Sequence, residues 1–202
     1  TIHYEPGERD PNTTINGGLP TIPPGEIASV RLGAYTSSGK SARIEYKYTV
    51  QAGASDLLVL QYALVMYSGG HSETEQPRFQ LEILDGNGRP LRSSCTQKDF
   101  YCGFGETSAW HQEDDIFWCD WQKVRVSLVD YVGQTLTIRL TSTRCTYDTH
   151  FCKAYFTMNC ESGQFQGVSC GDFSTDHFTA PDGFNYEWYY RSNYPGGTVL
   201  SR

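Results

Sequence analysis

Leu57-Leu58-Val59-Leu60-Gln61-Tyr62-Ala63-Leu64-Val65-Met66-Tyr67 is apolar on both faces, with Gln61 the only exception. Leu, Ala and Met are good helix formers, so residue types alone leave a helix open. The neighbours decide against it, because they alternate with period two. Ile44, Tyr46, Tyr48 and Val50 precede the run on one face, with Arg43, Glu45 and Lys47 on the other. Phe79, Leu81 and Ile83 follow it, opposite Arg78, Gln80 and Glu82. A run with no polar face among half-buried strands reads as the central strand of a sheet covered on both sides. The expected fold is an all-β, antiparallel sandwich.

Working outward, the strands expected are 27–33, 43–51, 57–67, 78–84, 90–94, 122–129, 134–141 and 153–159. No helical periodicity and no internal repeat stand out. Residues 1–26 hold too many breakers for regular structure (Pro6-Gly7, Asn16-Gly17-Gly18, Pro23-Pro24-Gly25) and are expected to lie across the sandwich as an extended arm. The sandwich itself spans 27–160. Residues 161–202 read as a linker followed by a short C-terminal β segment.

The 202 residues carry a formal net charge of −7 and 38% apolar residues, which suits a globular chain with a real core. No basic block exists to displace counterions from phosphates, which argues against nucleic acid as a partner. No apolar run reaches the roughly 18 residues of a membrane span. No signal-peptide pattern opens the chain, so the sequence reads as a mature or excised piece. Seven cysteines lie between Cys95 and Cys170 and none precedes them. Without a C-x-x-C pair a zinc site has little support, and disulfides in an extracellular setting are expected instead. The matched spacings Cys95/Cys102 and Cys145/Cys152 either staple one loop each or tie the loops together. Cys160 and Cys170 are expected to bridge.

The connections sort by length. Ala52–Ser55, Asp85–Gly88 and Asp130–Gly133 are short turns; 34–42, 68–77, 95–121 and 142–152 are long and polar. Successive antiparallel strands reverse direction, so the long loops share one end of the sandwich. That end is expected to gather His71, Trp110, His111, Trp118, Tyr147 and His150 as ligand-binding candidates, because loops on a rigid scaffold carry function. The aromatic rings there suit a sugar face or a protein hot spot, or else they bury inside their own loops. His71 and His150 are metal ligands or, as such histidines more often are, packed polar residues. Glu113, Asp114 and Asp115 offer oxygens for a structural calcium, or form a solvated acidic loop. Gly167-Val168-Ser169-Cys170-Gly171 matches G-x-S-x-G, but a nucleophile elbow needs a helix after the turn and none is patterned there. Nothing places a pair of carboxyls at glycosidase separation.

Trp121, Val124, Val126, Leu128, Tyr131, Gly133 and Ile138 follow the pattern W-x-x-V-x-V-x-L-x-x-Y-x-G-Q-T-x-x-I-R. This resembles a signature of MAM-like and galactose-binding-like jelly-roll modules. With Leu19–Gly33, Tyr62–Phe79 and His150–Cys160 it is similar to large surface proteins of the Bacteroidetes, adhesive or associated with gliding motility. Ala180-Pro181-Asp182-Gly183-Phe184 with Tyr186 and Trp188 resembles the opening of an Ig- or PKD-like module. Cys119 and Cys152 depart from the pattern, so no disulfide map carries over. The resemblance implies a jelly-roll module without catalytic residues, on the cell surface, binding glycan or a surface protein through its long loops, with further modules in the same polypeptide. The alternative is a spacer in a multidomain surface protein with no ligand of its own; a glycoside-active enzyme comes third.

Overall fold

The structure, a computed structural model, describes residues 1–33, 41–53, 56–91, 96–104, 110–162, 166–169, 176–180 and 186. Its strands are β1 (Ile2–His3), β2 (Ser29–Leu32), β3 (Ser41–Thr49), β4 (Leu57–Tyr67), β5 (Arg78–Leu84), β6 (Gln97–Tyr101), β7 (Trp110–Glu113), β8 (Ile116–Ser127), β9 (Thr135–Thr143), β10 (Cys152–Glu161), β11 (Gln166–Ser169) and β12 (Asp176–Thr179). The described residues contain no α-helix, and so none long and apolar enough to cross a membrane. One antiparallel sheet runs β1-β2-β10-β4-β8-β7 and a second runs β3-β9-β5-β6. Strands β11 and β12 form a separate antiparallel hairpin, so Gly167–Ser169 of the G-x-S-x-G match lies in a strand.

β4 occupies an interior position of the larger sheet, as its composition requires, and its two faces have different partners. Leu58, Leu60, Tyr62, Leu64 and Met66 point at the second sheet, into a core shared with Phe79, Leu81 and Ile83 of β5 and Leu136, Ile138 and Leu140 of β9. Ala63 and Val65 point the other way, into a smaller core with Leu19, Trp118, Phe151 and Tyr155. Residues of the N-terminal stretch cover this second face. Leu19 packs there, the Trp121 indole donates to the Pro20 carbonyl at 2.8 Å, and Gln61, the polar exception in β4, donates to Glu26 Oε1 at 3.0 Å.

Beneath that cover lies a closed polar cluster. Lys153 Nζ donates to Asp10 Oδ2 at 2.8 Å, to Asp10 Oδ1 at 3.1 Å and to Asn12 Oδ1, while the Tyr155 hydroxyl donates to Asp10 Oδ2 at 2.5 Å. The Lys153 and Asp10 side chains are 3% and 0% exposed.

Three expectations change. The long connection 95–121 holds β6, β7 and the start of β8, whereas at 90–94 the described residues show Pro90 in a single bridge to Leu84. β3 is an edge strand, so Ile44 and Tyr46, on its apolar side, remain 39% and 48% exposed. No described cysteine is bridged: Cys102, Cys119, Cys145, Cys152 and Cys160 are free thiols. Cys145 and Cys152 cannot staple their loop as placed, because Cys152 faces the main core while the Cys145 sulfur is enclosed by its own turn. Cys95 and Cys170, the expected partners of Cys102 and Cys160, lie outside the described residues, as does most of the Ig/PKD-like stretch.

Candidate functional site

β8 and β10 both pair antiparallel with β4, in registers Tyr67↔Ile116 and Met66↔Cys152. The segment leaving β4, the β7–β8 turn and the segment entering β10 therefore meet at one end of the larger sheet. Sheet geometry thus brings His71 and His150, 79 positions apart, to an Nε2···Nδ1 separation of 3.1 Å.

Each wall of this site has a local cause. After Tyr67 the chain turns through Ser68-Gly69-Gly70 and is pinned by the buried Gln76 side chain. Gln76 accepts from the Gly69 N–H at 3.3 Å and donates to Ser68 Oγ and to the His71 carbonyl, each at 3.1 Å. Gly69 is required by space: a Cβ there would stand 2.2 Å from the His150 ring and 2.3 Å from His71 Nε2. A single helical turn, Glu73–Glu75, follows, with Ser72 and Glu75 in a capping box.

The opposite wall is the turn Cys145-Thr146-Tyr147-Asp148-Thr149-His150. The Cys145 N–H donates to the His150 carbonyl at 3.1 Å and the Asp148 N–H to the Cys145 carbonyl at 2.9 Å, with Asp148 in the left-handed region at φ 63°. This curl turns backbone onto sulfur, and the His150 N–H reaches Sγ at 3.4 Å. Thr149 Oγ1 lies 3.6 Å from the same sulfur.

The two walls are tied together. The Thr146 N–H donates to the Glu75 carbonyl at 3.0 Å, and the Tyr147 hydroxyl donates to Glu75 Oε1 at 3.2 Å. The Tyr147 ring lies 4.8 Å from His71, and Tyr67 meets His150 edge-on at 4.8 Å.

Electrostatics separate these groups from their surroundings. Burial pushes the Cys145 thiol up, but bonds from the Thr149 hydroxyl and the N–H groups of His150, Thr149 and Tyr147 outweigh it, and the net shift is downward. The core thiols go the other way: burial raises Cys119 and Cys152 to about 12 and also raises Cys102. Burial, then the neighbouring His71, holds His150 below its ordinary value, favouring the neutral ring. Glu75 is lowered by the Ser72 hydroxyl and N–H and by Tyr147.

The six expected ligand-binding residues divide. His71, Tyr147 and His150 come together. Trp110 pairs with Cys119 in the sheet and packs on the main core. Trp118, 2% exposed, belongs to the core under the N-terminal stretch; His111 stacks on it at 5.1 Å and bonds Asp120 at 2.8 Å. The acidic run forms the tight β7–β8 turn. Asp114 takes φ 52°, the Asp115 carbonyl accepts from the Ser68 N–H at 2.7 Å, and Glu113 Oε2 accepts from the N–H groups of Thr14 and Ile15 at 2.9 and 3.3 Å.

Sequence reasoning missed Cys145, assigned to a disulfide, and the supports Gly69, Glu75 and Gln76. Beside Cys145 opens a cleft of about 300 Å³, lined in part by Arg78, Tyr101 and Arg144. The only sequence signals for these residues were Gly69-Gly70 ahead of a histidine and the C-x4-H spacing of Cys145 and His150.

No protein-family model, no curated protein and no solved structure matches this chain.

Proposed function

We propose that this chain is a non-catalytic binding module that engages a glycan or a surface protein through the loop end of a jelly-roll sandwich. The observation behind the reading is the placement of Tyr147. The residue is 59% exposed, its ring lies against His71, and it stands on the same turn as Cys145, which borders the cleft with Arg78, Arg144 and Tyr101. An exposed aromatic face next to a cleft lined by polar donors is what a sugar ring needs for stacking and hydrogen bonding. We place the module outside the cell, within a longer surface polypeptide of the Bacteroidetes type that the sequence resembles, where an Ig- or PKD-like module follows it. Structural calcium at Glu113, Asp114 and Asp115 belongs to the same reading.

A glycan array probed with the purified chain tests it. Binding that Tyr147→Ala removes without moving the thermal midpoint supports the reading. An array silent for the wild type counts against it. A specific observation favours the alternative of a spacer with no ligand: Trp110 and Trp118, two of the aromatic candidates, are committed to packing.

A further inference from the structure

We propose that His71 Nε2, His150 Nδ1 and the Cys145 thiolate form a three-ligand site for a borderline divalent transition metal, zinc foremost. This goes beyond glycan or protein recognition and stands whether or not the loop end binds either.

The donor atoms of the trio all lie within 4.8 Å of one another, with the two nitrogens 3.1 Å apart. Zinc bonds of about 2.0–2.1 Å to nitrogen and 2.3 Å to sulfur set tetrahedral edges of roughly 3.3 Å between nitrogens and 3.6 Å between nitrogen and sulfur. The imidazole pair already spans such an edge, and the sulfur must close in by at most about 1.2 Å.

The sulfur faces groups that can donate to it. The His150 N–H points at it, Thr149 Oγ1 adjoins it, and binding a cation releases its proton to solvent. The support is rigid on both sides, since Gln76 holds the His71 backbone and Glu75 ties down the Cys145 turn. Gly69 leaves free the space between the rings that any side chain would fill. Outer contacts of this kind fix ligand orientation.

Ligand type selects the metal. Two imidazoles and a thiolate suit zinc and disfavour calcium or magnesium, which take oxygen. The same set holds copper in electron-transfer sites that add a weak axial methionine. The chain's two methionines, Met66 and Met158, belong to the main core instead. Three protein ligands leave the fourth zinc position to a water or to an incoming donor group.

Cobalt(II) is the probe. The reduced, chelator-treated chain is titrated with it and the visible and near-ultraviolet spectrum recorded. One equivalent should give the intense ligand-field bands of tetrahedral cobalt with a thiolate-to-cobalt charge-transfer band, and zinc should displace both. Cys145→Ser should abolish the charge-transfer band and weaken binding by more than about 100-fold, beyond what loss of an outer contact costs. Gly69→Ala, which wedges a methyl between the rings, should do the same while keeping the metal-free circular dichroism of the wild type. A spectrum of octahedral cobalt, no uptake, or a charge-transfer band that survives Cys145→Ser because other thiols supply it would each overturn the assignment.

Discussion

Two polar clusters lie near the start of β10, one on Lys153 within the strand and one on His150 just before it. At Lys153, under the N-terminal stretch, the ammonium group uses its three donors on Asp10 and Asn12, and Asp10 takes a further bond from Tyr155. At His150, three residues earlier, two ring nitrogens face each other at 3.1 Å with room for one proton between them, and a sulfur is surrounded by donors. The first cluster is buried, with Lys153 and Asp10 answering each other inside the fold. The second is at the rim, with two ring nitrogens and a sulfur all within 4.8 Å of one another. Burial with mutual partnership makes architecture; donor atoms gathered on a rigid frame make a site.

The largest expected effect lies at Asp10. Asp10→Ala leaves the Lys153 charge buried without its counter-ion, and the expected loss is about 3–5 kcal/mol in denaturant. A loss under about 1 kcal/mol would show that the N-terminal stretch is not locked onto β10. On the apolar face of the neighbouring strand, Leu64→Ala removes a fully buried side chain and should cost about 2–5 kcal/mol by transfer plus cavity. An unmoved urea midpoint there contradicts the interior placement of β4.

Glu113 gives a smaller, pH-dependent effect. The Thr14 hydroxyl and N–H, then the Ile15 N–H, hold its carboxyl below the ordinary 4.5. The folded chain therefore binds that proton more weakly than the unfolded chain. The anchoring it gives the N-terminal stretch is full above pH 4.5 and is lost as pH falls through the depressed folded value. Protection of the Thr14 and Ile15 amides, measured relative to their intrinsic exchange rates, should fall on acidification through that window and should be low at all pH values in Glu113→Gln. Equal protection in the two chains at neutral pH would remove Glu113 from that role. Smallest of all is Tyr147→Phe, which removes one exposed hydrogen bond to Glu75 and should leave the thermal midpoint unchanged. A clear drop would mean that the fold of the two walls depends on this bond as well as on the Thr146–Glu75 backbone bond.

Legibility followed burial. β4 shows in the sequence because both its faces are covered, which demands an uninterrupted apolar run. β6 and β7 do not, because Gln97-Lys98-Asp99 and His111-Gln112-Glu113 sit at sheet edges and bury little. β3 alternates as clearly as any strand, yet its edge position leaves Ile44 and Tyr46 open. The meeting of His71 and His150 needs β4 and β10 to be hydrogen-bonded antiparallel neighbours in the register Met66↔Cys152, which counting strands along the sequence does not supply. The role of Cys145 was not readable. Its spacing to Cys152 matches a disulfide staple, and only the three-dimensional turn shows its sulfur enclosed by N–H groups, with Cys152 facing inward. Trp118 misled for a similar reason: a tryptophan in a long loop looks exposed until the N-terminal stretch is laid over it.

The most direct measurement is X-ray absorption at the zinc edge of the zinc-loaded chain at one equivalent. A first shell with two imidazole nitrogens at about 2.0–2.1 Å and a single sulfur at about 2.3 Å is expected, the sulfur vanishing in Cys145→Ser. A shell of oxygen alone, or one with two or more sulfurs drawn from the core thiols, would contradict it.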